Sequence, residues 1–327
     1  MVDQKFYRPS PHQYLHSARA PARSGKRRKS FKLGTIEKVQ AEAQPTSSLV
    51  IGGSGLVGGY IVDHLVKSGQ RPLALSRAAR SDPAVKWYRG DLHEPGVLKL
   101  PPFSTLYCTA SAVLLAEALP HLIHPALKRL VVFSSTSVIT KQDTEIAAER
   151  ATIQRLAAAE RQIEAICEQH GVGWTILRPT LIYDEGRDTN VTPLSRLIQR
   201  FRFMPLVGGG PGLRQPVHAE DLAIGAIAAA QSDAAINKFY SLPGLDTVTY
   251  REMIGRIFDG LGLPRRFVSI PPWLWRACFA AVNPLYPAAN VAMGIRMMKD
   301  MAFDATPAVR DIGWSPRGFR PTFRASR

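Results

Sequence analysis

The most constraining segment of this chain is residues 48–59, where a short apolar run ends in a glycine-rich turn and an amphipathic run follows. The order strand, glycine turn and helix is what a dinucleotide pyrophosphate needs. Gly52 permits the turn, Gly55 lets the backbone approach the phosphates, and Gly58 lets the helix pack close to the strand. The helix N-terminus adds free N–H groups and a positive dipole. The segment predicts a dinucleotide-binding loop formed by Gly52, Ser54, Gly55, Leu56, Val57 and Gly58.

Downstream of this loop, near-continuous apolar runs alternate with helical patterns. Five further strands are predicted over 72–77, 85–92, 104–110, 130–135 and 174–179, and a long helix over about 144–170. A helix of small residues, a strand and a helix capped by Thr249 are predicted over 220–230, 238–242 and from 250 onward. Such alternation is typical of a parallel sheet covered on both faces. The sequence predicts an α/β fold, a Rossmann-type doubly wound parallel sheet with a smaller C-terminal substrate-side domain.

Composition divides the 327 residues into a leader and a globular body. Residues 1–46 lack apolar periodicity and carry ten Lys/Arg against three acids, which is +7 of the net charge of +16. We predict a disordered basic leader over 1–46, a dinucleotide-binding domain over 47–245, with 190–217 contributing to the substrate side, and a small substrate or lid domain over 246–327. The leader has no secretory apolar core, which leaves an organelle transit peptide, a flexible basic arm and translation from an upstream start codon as alternatives.

The spacing of the cysteines and the distribution of charge limit which cellular compartment and which classes of partner we expect. Cys108, Cys167 and Cys278 are far apart, with no CxxC pair. This argues against a disulfide framework or a metal site and fits a reducing compartment, the cytoplasm or an organelle matrix. The body shows no basic stripe interleaved with aromatics, so we expect no specific nucleic-acid partner. Residues 271–282 hold two tryptophans beside an arginine and predict a helix over the substrate cleft or, as the alternative, peripheral contact with a membrane or a larger assembly.

The end of the second predicted strand bears on the choice of cofactor. NAD-selective sites place an acid there for the ribose hydroxyls, and such an acid would repel a 2′-phosphate. This chain has Ser76 and Arg77 at that point, with Arg80 close behind. A hydroxyl and a guanidinium suit a phosphate, so the sequence favours NADP(H), with NAD(H) as the alternative.

Further segments follow the glycine loop in a fixed order. They are Gly90–Leu92, Phe133–Val138, Leu177–Tyr183, Gln215–Ala223 and Asp311–Pro316. With the loop they cover about residues 48–320. In this order they resemble the short-chain dehydrogenase/reductase superfamily, most of all its extended or atypical branch with the NAD-dependent epimerases and dehydratases.

The resemblance assigns roles to several positions. It implies that Asp91, followed by Leu92, contacts the adenine. It implies that Thr109 and Ala110 end the strand behind the cofactor and that Pro179 and Leu181 line the nicotinamide. The substrate it implies is a small molecule, such as a nucleotide sugar, and Ser135 matches the serine that orients it.

One part of the family pattern is missing. The family's chemistry uses a tyrosine that exchanges a proton with the substrate and a lysine that lowers the tyrosine's pKa, spaced Tyr-x-x-x-Lys. Between Ser135 and Trp174 there is no tyrosine, and the matching positions hold Thr152 and Leu156. Tyr183 and His218 are the weaker candidates for proton transfer, His218 because its titration range suits that task.

Two hypotheses follow. The first is an NADP(H)-dependent oxidoreductase or an enzyme that modifies a nucleotide sugar without the usual acid–base pair. The alternative is a non-catalytic, dinucleotide-binding structural or redox-sensing subunit. The oligomeric state stays open.

Overall fold

The computed structural model describes residues 47–140, 146–282 and 291–323, of which 278–282 and 291–293 are described by their backbone alone. The predicted leader, 1–46, lies outside these ranges. The described residues belong to one compact unit, Gln44–Arg327. Within that unit, the proposed boundary between residues 245 and 246 stays a prediction.

Thirteen strands lie within the described residues. They are β1 (Ser48–Ile51), β2 (Leu73–Ser76), β3 (Lys86–Arg89), β4 (Thr105–Cys108), β5 (Arg129–Phe133), β6 (Gly173–Pro179), β7 (Ile182–Tyr183), β8 (Met204–Val207), β9 (Leu213–Arg214), β10 (Val217–His218), β11 (Lys238–Leu242), β12 (Val248–Thr249) and β13 (Phe267–Ile270).

Ten helices lie in the same described ranges. They are α1 (Leu56–Lys67), α2 (Ala112–Leu122), α3 (Ser137–Thr140), α4 (Ala147–Gln169), α5 (Val191–Phe201), α6 (Ala219–Gln231), α7 (Tyr250–Gly260), α8 (Pro272–Val282), α9 (Val291–Arg296) and α10 (Thr306–Ile312). None of them is long and apolar enough to cross a membrane.

Seven strands form the central sheet in the order β11-β6-β5-β4-β1-β2-β3. All six pairings are parallel, and Leu49 of β1 lies between Leu73 of β2 and Leu106 of β4. The chain therefore leaves β1 toward one edge and returns at β4 toward the other, which makes the β1/β4 junction the switch point where open α/β sheets bind ligands. The predicted α/β Rossmann-type fold is confirmed.

Two apolar layers cover the two faces of this sheet. One contains Leu115 and Ile163 and is completed by α2 and α4. The other contains Ile61 and Leu222 and is completed by α1 and α6. Burial of side chains on both faces explains why the central strands β1, β2, β4 and β5 are almost continuously apolar rather than alternating.

A third apolar cluster is built from the C-terminal part of the chain and from residues 183–207. It contains Tyr183, Phe258 and Phe319, which are 0–2 % exposed. Thr249 starts α7 as predicted, because its hydroxyl accepts the Glu252 backbone N–H at 3.0 Å. The elements around this cluster include β8 and β13, which pair parallel to each other outside the central sheet.

Candidate functional site

The glycine loop between β1 and α1 has the geometry that the sequence predicts. Gly52 has a φ of +80°, and the Gly55 N–H donates to the Gly52 carbonyl at 2.8 Å. A Cβ at Gly52 would lie 2.6 Å from Thr109 Oγ1, and one at Gly58 would lie 2.1 Å from the Gly52 carbonyl oxygen. Only glycine fits both positions, the first for conformation as well as space and the second for close helix packing.

The start of α1 suits an anion. Gly55 occupies the N-cap position and has no side chain to satisfy the first N–H groups, and the first turn contains no acid. The backbone N–H groups there and the positive end of the helix dipole therefore stay available for a ligand. These features fit the pyrophosphate of a dinucleotide, which the loop would hold through its backbone.

A cleft of about 350 Å³ opens at this loop, at the carboxyl ends of β1, β2, β3 and β4. It brings together nine predicted cofactor residues: Gly52, Ser54, Gly55, Ser76, Arg77, Asp91, Leu92, Thr109 and Ala110. Five predicted residues do not line it: Leu56, Val57, Gly58, Pro179 and Leu181. Val57 and Gly58 are buried in α1, where they hold the loop, and Pro179 ends β6, farther along the same sheet edge.

The side chains at the end of β2 differ in their roles. Ser76 is buried, and its hydroxyl lies 3.5 Å from that of Ser54 across the loop. Arg77 is exposed and lines the cleft. Arg80 instead places its guanidinium 5.5 Å from the centre of the Trp87 ring. Of the two arginines that the sequence offers, Arg77 is therefore the one positioned at the cleft.

His93 is a cleft residue that the sequence analysis missed. Its backbone N–H donates to Asp91 Oδ1 at 3.1 Å, and its ring Nδ1 lies 2.9 Å from the same oxygen. These hydrogen bonds, with attraction from Arg77, lower the pKa of Asp91. The carboxylate is thus held ionised and oriented toward the cleft. The sequence signal was the Asp-x-His spacing after the third strand, a local turn that resembles many others.

Ser135 lies after β5, and its hydroxyl is engaged locally. Its Oγ accepts the Ser137 backbone N–H at 3.1 Å and also contacts the Ser137 hydroxyl. The neighbouring Thr136 hydroxyl donates to the Pro179 carbonyl at 3.0 Å. This arrangement starts α3 and ties β5 to the end of β6. The proposed substrate-orienting role of Ser135 stays a prediction.

The two positions that would hold the acid–base pair, Thr152 and Leu156, lie on α4 and have structural contacts instead. Thr152 is exposed, and its hydroxyl donates to the Ala148 carbonyl at 2.9 Å. Leu156 is half-buried against the apolar layer completed by α2 and α4. An aliphatic side chain packed in a core cannot supply a cation near a tyrosine hydroxyl.

Tyr183 and His218, the two substitute candidates, are packed against each other edge to face. Tyr183 is 2 % exposed, and burial raises the pKa of its phenol above the usual range. His218 Nδ1 accepts the Glu220 N–H at 3.1 Å and so caps α6, which leaves the proton on Nε2, 3.7 Å from Glu185 Oε2. These contacts favour packing and capping roles over proton transfer.

One group of side chains has metal-ligand types. Single ligand atoms of Asp184, Glu185 and His218 lie within 4.8 Å of one another. Both His218 nitrogens already face protein partners, and Asp184 Oδ2 lies 3.2 Å from the Arg187 guanidinium. The prediction of no metal site stays a prediction.

Comparison with known proteins agrees with this architecture. Residues 104–242 match the NAD dependent epimerase/dehydratase family. The chain is 27 % identical over 251 residues to NADH dehydrogenase [ubiquinone] 1 alpha subcomplex subunit 9 of Arabidopsis thaliana mitochondria, covering 68 % of this chain and 60 % of that protein. It is 22 % identical to UDP-glucose 4-epimerase of Vibrio cholerae over 325 residues, covering 86 % of this chain and 95 % of that protein.

Solved structures share the fold. The UDP-glucose 4-epimerase of Thermotoga maritima, solved with UDP-glucose, has a TM-score of 0.61 at 16 % identity, over 83 % of this chain and 94 % of that chain. The UDP-glucuronic acid 4-epimerase of Bacillus cereus, solved with UDP-glucuronic acid and NAD, has a TM-score of 0.64 at 13 % identity over the same shares. With its parallel seven-stranded sheet and its matching segment from β4 to β11, the chain is similar to the NAD dependent epimerase/dehydratase family and shares the fold of the solved epimerases.

Proposed function

We propose that this chain is a non-catalytic nicotinamide-dinucleotide-binding protein, with NADP(H) as its preferred ligand, that serves as an accessory subunit of a larger assembly. The observation that carries this proposal is the contrast between two sites. The loop and cleft around Gly52 and Asp91 keep the features of a dinucleotide site, whereas Thr152 and Leu156 occupy the positions of the acid–base pair.

Bound nicotinamide supplies hydride chemistry, and the chain's own residues must supply the rest. Hydride transfer to a carbonyl needs a proton donor beside the reacting oxygen. The first turn of α4 is instead tied to α9 by an ion pair between Glu149 and Arg296, and Leu156, further along the helix, faces the core. These contacts leave the cofactor's binding groups intact and stabilise α4 as a structural helix.

A relative supports the second half of the proposal. The Arabidopsis protein is, by its name, a subunit of an NADH dehydrogenase. The present chain spans 60 % of that protein's length. A role within a respiratory dehydrogenase-like assembly is therefore part of the proposal, to be tested on the protein's partners.

The test is purification of the full chain followed by identification of its bound nucleotide and an assay of nicotinamide absorbance with sugar nucleotides and quinones. We expect about one dinucleotide per chain and no turnover. Steady turnover of any substrate would contradict the proposal that the chain is non-catalytic. Absence of a bound or bindable dinucleotide would remove it as well.

The alternative is an NADP(H)-dependent oxidoreductase or sugar-nucleotide-modifying enzyme. The specific observation in its favour is Ser135, which stands where the family's substrate-orienting serine does. This alternative requires a proton donor other than Thr152 or Leu156, and Tyr183 and His218 are the remaining candidates. Turnover that is lost in Ser135→Ala would establish it.

We also predict how Arg77 affects ligand choice. Replacing Arg77 by Gln removes a charge-assisted contact to a 2′-phosphate, a change of about 1.5–3 kcal/mol, or roughly 10- to 150-fold in affinity for NADPH. Affinity for NADH, which lacks that phosphate, is expected to stay within about twofold. Fluorescence titration of both nucleotides measures the difference.

Arg80→Gln is the matched control, since it removes the same charge from a side chain that lies on Trp87 rather than at the cleft. It is expected to leave both affinities unchanged. If Arg77→Gln binds NADPH as well as the unmodified protein does, or if it weakens NADH equally, the preference for NADP(H) is wrong.

A further inference from the structure

Two long segments of the chain contain no Asp or Glu. They are residues 189–219 and 260–299, which together hold nine Lys/Arg. In a protein with 26 acids among 327 residues, such runs carry positive charge that no acid of the same segment offsets.

The fold brings these two segments together. β8 from the first and β13 from the second pair in parallel, with Met204 opposite Phe267. The Met204 N–H donates to the Arg266 carbonyl at 2.9 Å, so the end of α5 and the start of β13 are neighbours. α8 follows β13 directly. We call the exposed part formed by the C-terminal half of α5, the start of β8, β13 and the first turn of α8 the α5–β13–α8 surface.

Large apolar side chains are exposed across this surface. Trp273 is 70 % exposed, Phe201 and Val268 are 50 %, and Phe203 is 41 %. Most large apolar side chains of the described chain are instead buried in its three clusters. The Phe201 and Phe203 rings have their centres 6.5 Å apart, and several large exposed apolar side chains on adjoining elements are typical of an interaction site.

Four arginines on these elements or directly beside them are exposed: Arg196, Arg200, Arg202 and Arg266. Among the described residues, none of them forms an ion pair. Arg265, by contrast, is paired with both Glu252 and Asp259. The unpaired guanidinium groups are therefore available to a ligand outside the chain, and Arg200-Phe201-Arg202-Phe203 alternates cation and ring, a stripe that the sequence analysis overlooked.

The helix that carries the exposed Trp273 is held in place by a second tryptophan, Trp275. A Cβ on Gly294 of α9 would lie 2.2 Å from Trp275 Nε1, so Trp275 packs closely on that glycine. The packing fixes α8 through Trp275 and leaves Trp273, two residues earlier, exposed. None of the residues of the α5–β13–α8 surface lines the dinucleotide cleft.

We propose that the α5–β13–α8 surface binds the face of an anionic lipid bilayer. Exposed Trp, Phe and aliphatic side chains insert at the headgroup boundary, while arginines bind the anionic headgroups, each contributing about fivefold in affinity. The aliphatic members, Leu197, Val268 and Leu274, favour lipid over RNA, because a base needs an aromatic or guanidinium plane on which to stack. This inference goes beyond the proposed function and does not depend on bound dinucleotide.

The test is sedimentation of the full chain with phosphatidylcholine vesicles, with and without about one third phosphatidylglycerol. We expect binding to the anionic vesicles only, weakened by salt. Arg200→Gln with Arg202→Gln is expected to weaken it about tenfold or more, and Trp273→Ser severalfold. Trp273 should be quenched by brominated lipid, a signal that is lost in Trp273→Phe.

Matched controls carry the same changes elsewhere on the full chain. Arg155→Gln with Arg161→Gln removes two exposed arginines from α4, and Leu245→Ser removes a 65 % exposed leucine. Both are expected to bind as the unmodified protein does. Equal binding to neutral and anionic vesicles, or surface variants that bind normally because the basic leader carries the contact, would overturn the proposal, as would binding to single-stranded RNA but not to vesicles.

Discussion

Alanine at position 58 is expected to abolish dinucleotide binding and to destabilise the fold by about 3 kcal/mol, the upper part of the range for an overpacked site. The added Cβ would lie 2.1 Å from the Gly52 carbonyl oxygen and 2.7 Å from Thr109 Oγ1. The carbonyl belongs to the turn itself, so relief requires that α1 or the loop move. Either movement displaces the N–H groups that would hold the pyrophosphate. Urea unfolding and nucleotide titration measure the two effects.

The neighbouring Gly59 provides a matched control. A Cβ there would have its nearest contact 3.8 Å away, at the Gly53 carbonyl oxygen. Alanine at position 59 is therefore expected to preserve binding and to stabilise the helix by up to about 1 kcal/mol. If Gly58→Ala binds the nucleotide with normal affinity, the proposed contact between α1 and the loop does not control the site.

The glycine loop is a part of the site that could be predicted from the sequence alone. Gly52 and Gly58 are informative because each position excludes every other residue, Gly52 by its positive φ and Gly58 by contact with backbone, whereas a Cβ at Gly55 would lie 3.1 Å from the Gly52 carbonyl oxygen. The buried strands were equally readable, since β1 and β5 contact apolar layers on both faces and are apolar after their first residue. Their ends were predicted to within about two residues, the usual uncertainty of a strand boundary.

Other parts of the site depend on contacts that sequence spacing does not encode. Leu156 was recognised as a departure from the family, but only the fold shows that it packs in the core. His93 reaches the cleft through a turn whose geometry was not evident. The α5–β13–α8 surface joins segments more than 60 residues apart, and the pairing of β8 with β13 has no local signal.

Removal of either partner of the Glu160–Arg178 ion pair is the second change with a large expected effect. Glu160 is 3 % exposed, and its carboxylate accepts from Arg178 Nε at 2.9 Å and from Nη2 at 2.5 Å. The guanidinium also lies 4.4 Å from the centre of the Phe239 ring. The pair joins α4 to β6 immediately before Pro179, at the predicted nicotinamide side of the sheet. Loss of the pair is therefore expected to lower the stability of the fold and to disturb the position of Pro179.

We expect Arg178→Met to lower the free energy of unfolding by about 3–5 kcal/mol, because it leaves a buried carboxylate without a partner. Arg178→Met combined with Glu160→Leu should recover most of that loss, since apolar side chains of similar volume replace the whole pair. Asp259→Asn, which weakens the exposed Arg265–Asp259 pair, is expected to cost less than about 1 kcal/mol. Urea unfolding of the four proteins tests this. A double variant as unstable as Arg178→Met alone would show that the pair itself, rather than the isolated charge, determines how α4 is held against β6.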